Sequence, residues 1–490
     1  MATVVQYPAR SGRNSELFLL VISILLGIGA YFSVMASHPE APATWYWYCA
    51  GIALSGIALH VALRFLAPFA DPVIMPVALA LNGIGLAMIS RLDLEYLRIN
   101  TEASLTQVTG SKQLLMTLVA VVAAIAMLAG FRDHRTFRKF AWASLVIAIL
   151  LMMATLIPGL GVKSYGAYIS IRIFGLSIQP NEFAKLFLAI FFAGYLEYRR
   201  DSLAIAGKKI LFLQLPRWRD FLPLGVAWAA SLVLLVAQKD LGVALLMFAI
   251  FVAVLYVATD RPSWIIFGAI LMIPMALLAY ALFSHVQERV ANWLDAFNPE
   301  VIDRVGGSYQ LVNGLFGIAS GGLMGNGWGR GEAWRTALAN SDFIVSALAE
   351  EIGLTGILAI FLLYLILVQR GLRAAMGVRD GFGKLLATAL SFGIGAQLFI
   401  VVGGITRLIP STGLTTPFIA AGGASLVANW IGVAILLRIS DSARRPLPTP
   451  SLSPHGANLA GGSDHSSNGT NGTTGVNSPI LSAPTEVVSR

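Results

Sequence analysis

Apolar runs, each about one bilayer thickness long when helical, alternate with short polar segments along most of this chain. Twelve stand out, at 17–36, 45–63, 72–90, 114–131, 140–161, 182–197, 221–237, 241–259, 263–284, 343–369, 385–403 and 414–437. Lipid offers backbone groups no hydrogen-bond partners, so the pattern predicts an all-α polytopic integral membrane protein of about twelve transmembrane helices. The run at 182–197 is short, follows Pro180 and carries polar residues, which predicts an inward-facing helix. Two stretches break the alternation: a long interruption at 285–342, and a tail from about Pro446 rich in Ser, Gly, Asn, Thr and Pro. The tail (441–490 with its basic lead-in) is predicted to be disordered and cytoplasmic.

Composition agrees with a membrane protein: 57% hydrophobic, 12% charged, mean hydropathy +0.74. A net charge of +9 would suit a nucleic-acid partner, but the basic residues sit in short clusters between apolar runs, as topology signals do. No nucleic acid is therefore expected. With the N-terminus inside, 21 basic residues fall in inside segments and 11 in outside ones, which predicts both termini cytoplasmic. The first run follows Arg10 and Arg13 and is longer than a secretory signal core, so it is expected to remain as an anchor. Cys49 is the only cysteine, which excludes an intramolecular disulfide.

On this topology the 58 residues 285–342 form one outward-facing loop, and long ordered loops are usually functional. Ten glycines between Gly306 and Gly331 suit close approach to a bulky ligand, and apolar positions in "YQLVNGLFGIA" suit a short helix at the membrane interface. The loop acids are Asp295, Glu300, Asp303, Glu332 and Asp342. An isolated outward carboxylate is usually just solvated. Asp303 differs in its setting: it follows Asn298-Pro299, adjoins Arg304 and precedes Gly306 by three residues. There a carboxylate can accept a hydroxyl proton at headgroup depth.

Glu182 and Lys185 in "QPNEFAK" and Asp240 in "QKDLG" lie at the ends of apolar runs. A charge at mid-membrane costs roughly 2.5–3.5 kcal/mol, so these three are expected to face protein or a water-filled cavity. Glu182 and Lys185 share a helical face, and Asp240 is a candidate third member of a salt-bridge triad. Structural glue and substrate binding both remain open for them. Glu350 and Glu351 are adjacent, so one is expected to face the core, and Asp342 is placed to cap the helix that carries them. The stretch "TRLIPSTGLTTPFIAAGGAS" (406–425) predicts broken backbone at membrane depth from Pro410 on, with Arg407 just ahead of the break as a candidate phosphate ligand.

These stretches carry a resemblance. "QPNEFAK", "QKDLG", "GGSYQLVNGLFGIASGGLMGNGWG", "SDFIVSALAEEIG" and "TRLIPSTGLTTP…AGGAS" are similar to the motifs of the SEDS (shape, elongation, division and sporulation) family, the RodA/FtsW/SpoVE-like proteins. "RLDL", "DHR" and "ANW…RIS…ARRP" look most like its actinobacterial RodA branch. The resemblance covers roughly 10–440 and implies a ten-helix core at 67–440, with 1–66 as an added N-terminal helix pair.

It also implies an activity: peptidoglycan glycosyltransferase in the bacterial cytoplasmic membrane, polymerising lipid II into glycan strands for cell elongation, shape or division. The family's essential acid lies six residues before the Tyr of its Gly-rich motif, and counting back from Tyr309 gives Asp303 as general base. Asp303 would deprotonate the 4-hydroxyl of the lipid II acceptor, which attacks the undecaprenyl-linked strand and displaces undecaprenyl diphosphate. Arg407, Arg304 or a divalent cation (Mg or Mn) are candidates for meeting the diphosphate charge. Glu182, Lys185 and Asp240 match the family's membrane acids and lysine, and Tyr309, Gln310 and Ser425 fall in its substrate motifs. The implied partner is a class B penicillin-binding protein that crosslinks the strands.

The chain departs from the family pattern in places. Ile169-Ser170 stand where an Arg-Trp pair is usual, "AAGGAS" keeps only Gly422, Gly423 and Ser425 of "SYGGSS", and Arg304 replaces the Pro that usually follows the acid. The loop from Trp293 to Tyr309 is longer than usual, which leaves Asp295 as a rival base. A lipid II flippase and a non-catalytic scaffold for the crosslinking enzyme are the alternative readings.

Overall fold

The computed structural model describes residues 12–38, 45–99, 108–164, 167–173, 176–204, 209–210, 213–214 and 218–446. The predicted disordered tail from 447 onward lies outside them.

Helices α1 (Arg13–Ser37) and α2 (Trp45–Leu66) pack on α3 (Ile74–Ile99), whose apolar stretch is buried throughout. After α4 (Thr109–Gly130) come the short α5 (Thr136–Lys139) and α6 (Ala141–Ala154). An antiparallel sheet of β1 (Gly161–Ser164), β2 (Ala167–Ile173) and β3 (Leu176–Ile178) leads into α7 (Pro180–Ala204). The ribbon β4 (Lys209–Ile210) and β5 (Leu213–Gln214) precedes α8 (Trp218–Ala237), α9 (Leu241–Thr259) and α10 (Ser263–Leu282). The long loop holds α11 (Ser284–Leu294), α12 (Pro299–Ile302), α13 (Tyr309–Gly321) and a 3-10 turn at Ala333–Arg335. The last described helices are α14 (Ile344–Gly377), α15 (Gly381–Ile405) and α16 (Gly423–Arg444).

Among the described residues, nine helices are long and apolar enough to cross a membrane: α1–α4, α9, α10 and α14–α16. The other three expected spans are helical but differ. The apolar parts of α6 and α8 are short, and α7 is long but polar and largely buried, as its sequence predicted. Two expected spans are corrected at their ends. The run 140–161 stops being helical at Ala154, because Pro158, Gly159 and Gly161 end the helix; the segment after it, "AYISIRI" (167–173), alternates with the period of a strand. The run 414–437 becomes helical only at Gly423, after Pro410, Gly413 and Pro417.

In that irregular stretch, 406–422, Thr406, Leu408 and Gly413 are exposed while residues 416–420 are buried in protein, and there side chains satisfy backbone carbonyls. Gln397 donates to the Thr415 carbonyl at 2.7 Å, Gln113 to Ala420 at 3.2 Å, and Tyr364 to Pro417. At the opposite end of the bundle, Arg438 donates to the Leu66 and Leu128 carbonyls, and Asp441 accepts from Phe69 N–H at 2.8 Å. Asp380 caps α15 by accepting from Gly383 N–H at 2.7 Å and from His134 at 2.8 Å.

Candidate active site

The sequence around Asp303 folds into one compact turn. Asn298 accepts from Glu300 N–H at 3.0 Å and Pro299 opens the helix, so the four residues of α12 start with a cap and a fixed φ. Asp303 ends α12, its N–H donating to Pro299 at 3.0 Å. The chain then reverses through Gly306, at φ +77°, and Gly307, where a Cβ would lie 1.9 Å from the Val301 carbonyl oxygen. Only glycine fits there. Ser308 closes the turn, its N–H donating to Val301 at 3.1 Å and its buried hydroxyl to Ala296 at 2.6 Å.

Asp303 is exposed, and its carboxylate takes no hydrogen bond or ion pair from the described residues. Arg304 turns away from it and donates to Asn292 Oδ1 at 2.9 Å. Asn292 in turn donates to the Gly306 carbonyl at 2.8 Å. Asp295, the rival acid, accepts from Asn298 Nδ2 at 2.8 Å. Tyr309, half exposed, and Gln310 begin α13, which packs on α14.

Both Glu350 and Glu351 are buried, correcting the expectation that one of them alone would face inward. α14 breaks at Gly353 (φ 67°, ψ −175°), which frees the carbonyls of Glu350 and Glu351 to accept from Asn326 N–H at 2.9 Å and Gly327 N–H at 3.0 Å. In return Leu354 N–H donates to Gly322 at 2.9 Å and Thr355 N–H to Leu323 at 3.1 Å. The glycine loop thus lies flat on the broken helix, and a Cβ at Gly325 would come 2.2 Å from the Glu351 carbonyl oxygen. The side chains add to this. Glu350 accepts from Glu332 N–H at 2.6 Å, and Glu351 accepts from Gly329 N–H and pairs with Arg91 of α3 at 3.3 Å. Ser37 and His38, at the end of α1, bond the Trp328 and Gly329 carbonyls at 2.9 and 2.7 Å.

The membrane charges form a pair. Lys185 lies 2.7 Å from Glu182 and donates to Gln397 at 3.0 Å, and these groups line a cavity between α7, α9, α15 and α16 that also reaches Asn429. Asp240 does not complete a triad with them. It accepts from Asn181 at 3.0 Å and caps α9 through Val243 N–H at 3.2 Å. Ser425 is buried near the start of α16, where Asn429 donates to its carbonyl at 2.8 Å. Asp342 does not cap α14; Phe343 stands at that position with no side-chain bond. Asp342 lies instead across Gly413 from Arg289, and burial, with the charge of Asp240 adding to it and that of Arg289 opposing, pushes its carboxyl up to about 6. Among the described residues, no group of three or more His, Cys, Asp or Glu side chains could hold a metal ion.

Residues 72–445 match the family model of the cell cycle proteins FtsW, RodA and SpoVE. The chain belongs to this family. It is 43% identical over 445 residues to the peptidoglycan glycosyltransferase RodA of Mycobacterium tuberculosis, covering 90% of this chain and 93% of that one. The probable peptidoglycan glycosyltransferase FtsW of Geobacter metallireducens is 34% identical over 66% of this chain and 83% of that one. Among solved structures, one described for the structural coordination of polymerization and crosslinking by a peptidoglycan synthase complex matches with a TM-score of 0.60 at 22% identity, over 76% of this chain and 98% of that one. A variant of the rod shape determining protein RodA of Thermus thermophilus matches at 0.53 and 21%, over 76% and 97%. At those identities the likeness shows a shared polytopic fold.

In this RodA/FtsW-type chain, sequence reasoning missed the residues that hold the site. Asn292, Arg289, Gln397, Asn181 and Arg91 each bond a partner far along the chain. The polar face of the amphipathic α11 was the one visible signal, since Arg289 and Asn292 sit i, i+3 on it.

Proposed function

We propose that this membrane-embedded peptidoglycan glycosyltransferase polymerises lipid II, with Asp303 as its general base. The carrying observation is the free carboxylate of Asp303 on a turn that glycine alone can make, while the neighbouring Asp295 is occupied by Asn298. Asp303 takes the proton from the 4-hydroxyl of the acceptor sugar as that oxygen attacks the anomeric carbon of the growing strand. The bond from that carbon to the diphosphate breaks, and undecaprenyl diphosphate leaves.

Glu182, Lys185, Gln397 and Asn429 on the cavity between the helices are proposed to bind substrate, with Tyr309, Gln310 and Ser425 nearer the loop. The 21-to-11 bias of basic residues supports cytoplasmic termini and an outward-facing Asp303 turn. The start of the family match at residue 72 supports α1 and α2 as an added pair. The synthase complex with a similar fold supports a crosslinking partner, here proposed to be a class B penicillin-binding protein. A divalent cation at the leaving group would draw its ligands mainly from diphosphate oxygens, since the described residues offer no cage of acidic, His or Cys side chains.

The test is polymerisation of purified lipid II by the chain co-expressed with its partner transpeptidase. Glycan ladders from wild type and Asp295→Ala but not Asp303→Ala are expected. Loss in Asp295→Ala alone would move the base to Asp295. Absence of product from wild type, under conditions where a known relative is active, would favour the scaffold reading.

A further inference from the structure

At the end of the bundle away from the Asp303 turn, where α6 and α8 begin and α7 ends, lies a cavity of about 860 Å³. Pockets of this size hold a lipid headgroup and the start of its chains. One wall is aromatic. The Trp142 ring lies 5.4 Å from Phe191 and 5.9 Å edge-on from Tyr195, yet Trp142 remains 59% exposed. Gly194 lets α6 meet α7 here, since a Cβ would come 2.7 Å from that of Ala141.

The rim is cationic. Arg138 pairs loosely with Glu197, at 3.3 Å, and keeps most of its guanidinium in the open. Arg199 stacks on Tyr198, its guanidinium carbon 5.3 Å from the ring centre, and Tyr198 is 80% exposed. Residues 132–139 and 197–200 hold six basic and two acidic side chains.

Exposed aromatic rings at a helix end, here Trp142 and Tyr198, are what a headgroup region favours, and they have little to offer a soluble anion. Guanidinium groups match a phosphodiester in fork geometry, and basic pockets between transmembrane helices recognise acidic lipid heads. We infer that this cavity is a binding site for an anionic phospholipid, with the phosphodiester between Arg138 and Arg199 and the upper acyl chain along the exposed ring of Trp142, which Phe191 and Tyr195 back from within the core. The site is separate from the Asp303 turn and does not depend on its role.

The test is native mass spectrometry of the full-length chain titrated with phosphatidylglycerol, and separately with phosphatidylcholine. Wild type is expected to retain phosphatidylglycerol preferentially, and the Arg138→Gln/Arg199→Gln variant to lose about tenfold of that affinity with phosphatidylcholine adducts unchanged. The exposed Tyr198→Ala variant, which removes the ring beneath Arg199 without touching the core, is expected to weaken phosphatidylglycerol binding severalfold. Equal retention of both lipids by wild type, or undiminished phosphatidylglycerol binding in both variants, would overturn the site. Displacement of the lipid by millimolar inorganic phosphate would mean that the arginines recognise a soluble anion instead.

Discussion

Trp293 and Arg407 hold each other across the loop. The Trp293 indole N–H donates to the Arg407 carbonyl at 3.0 Å, and Arg407 Nε donates to the Trp293 carbonyl at 2.8 Å. The same guanidinium reaches the Leu294 carbonyl at 3.0 Å. The last carbonyls of a helix lack partners within it, and a cation there also meets the negative end of the helix dipole. Arg407, expected from sequence to hold phosphate, thus fastens the end of α11.

A first prediction follows for Arg407→Lys. Lysine keeps the charge but lacks the fork that serves two carbonyls. Because α11 carries the Asp303 turn, kcat for lipid II polymerisation is expected to fall about tenfold with KM little changed, a loss of positioning and not of binding. A rise in KM at unchanged kcat would return Arg407 to phosphate binding.

Asn292 is the direct link from α11 to that turn, donating to Gly306 and accepting from Arg304. Asn292→Ala is expected to slow polymerisation by about tenfold or more, because a small misplacement of a reacting group is costly. The bonds are solvent-exposed, so the thermal midpoint in detergent should move little. A large drop in midpoint with an unchanged rate per folded molecule would contradict the positioning role.

The helices were legible because lipid imposes a length and an apolar composition that any reader of the chain can find. The sheet at 161–178 was missed in the segment between two expected spans, although "AYISIRI" alternates. The Asp303 turn was legible through its motif, whereas the bond by which Asn298 occupies the Asp295 carboxylate was not. Glu350 and Glu351 misled because helical geometry separates adjacent side chains, and nothing local says that a glycine loop will cover one while α3 covers the other. Partners such as Arg91 and Gln397 come from distant segments and leave no local trace.

Glu351 and Arg91 are both nearly inaccessible, with side chains 0% and 4% exposed. Removing one member of a buried pair strands the other charge, typically at about 3–5 kcal/mol. Glu351→Ala is expected to lower the thermal midpoint sharply, while Glu351→Ala combined with Arg91→Met loses less than the two single changes together. Additive losses in that double-mutant cycle would show that the pair is not coupled.

Asp342 gives the protein a pH dependence of definite sign. Burial is the largest cause of its raised carboxyl pKa, about 6; the charge of Arg289 and a bond from Ser341 offset it in part, and the charge of Asp240 adds to it. Between the ordinary carboxylate value and about 6, the folded state holds a proton that the unfolded state has released. Stability therefore falls as pH rises through that window and stays at the lower level above it, a difference of roughly 3 kcal/mol at most. Asp342→Asn keeps the shape and cannot ionise, so it is expected to raise the thermal midpoint at pH 7.5 and to change it little at pH 4.5. Midpoints of wild type and variant followed by tryptophan fluorescence across that range check the sign, and a variant destabilised at pH 7.5 would mean that the ionised Asp342 is held by Arg289 more strongly than burial opposes it.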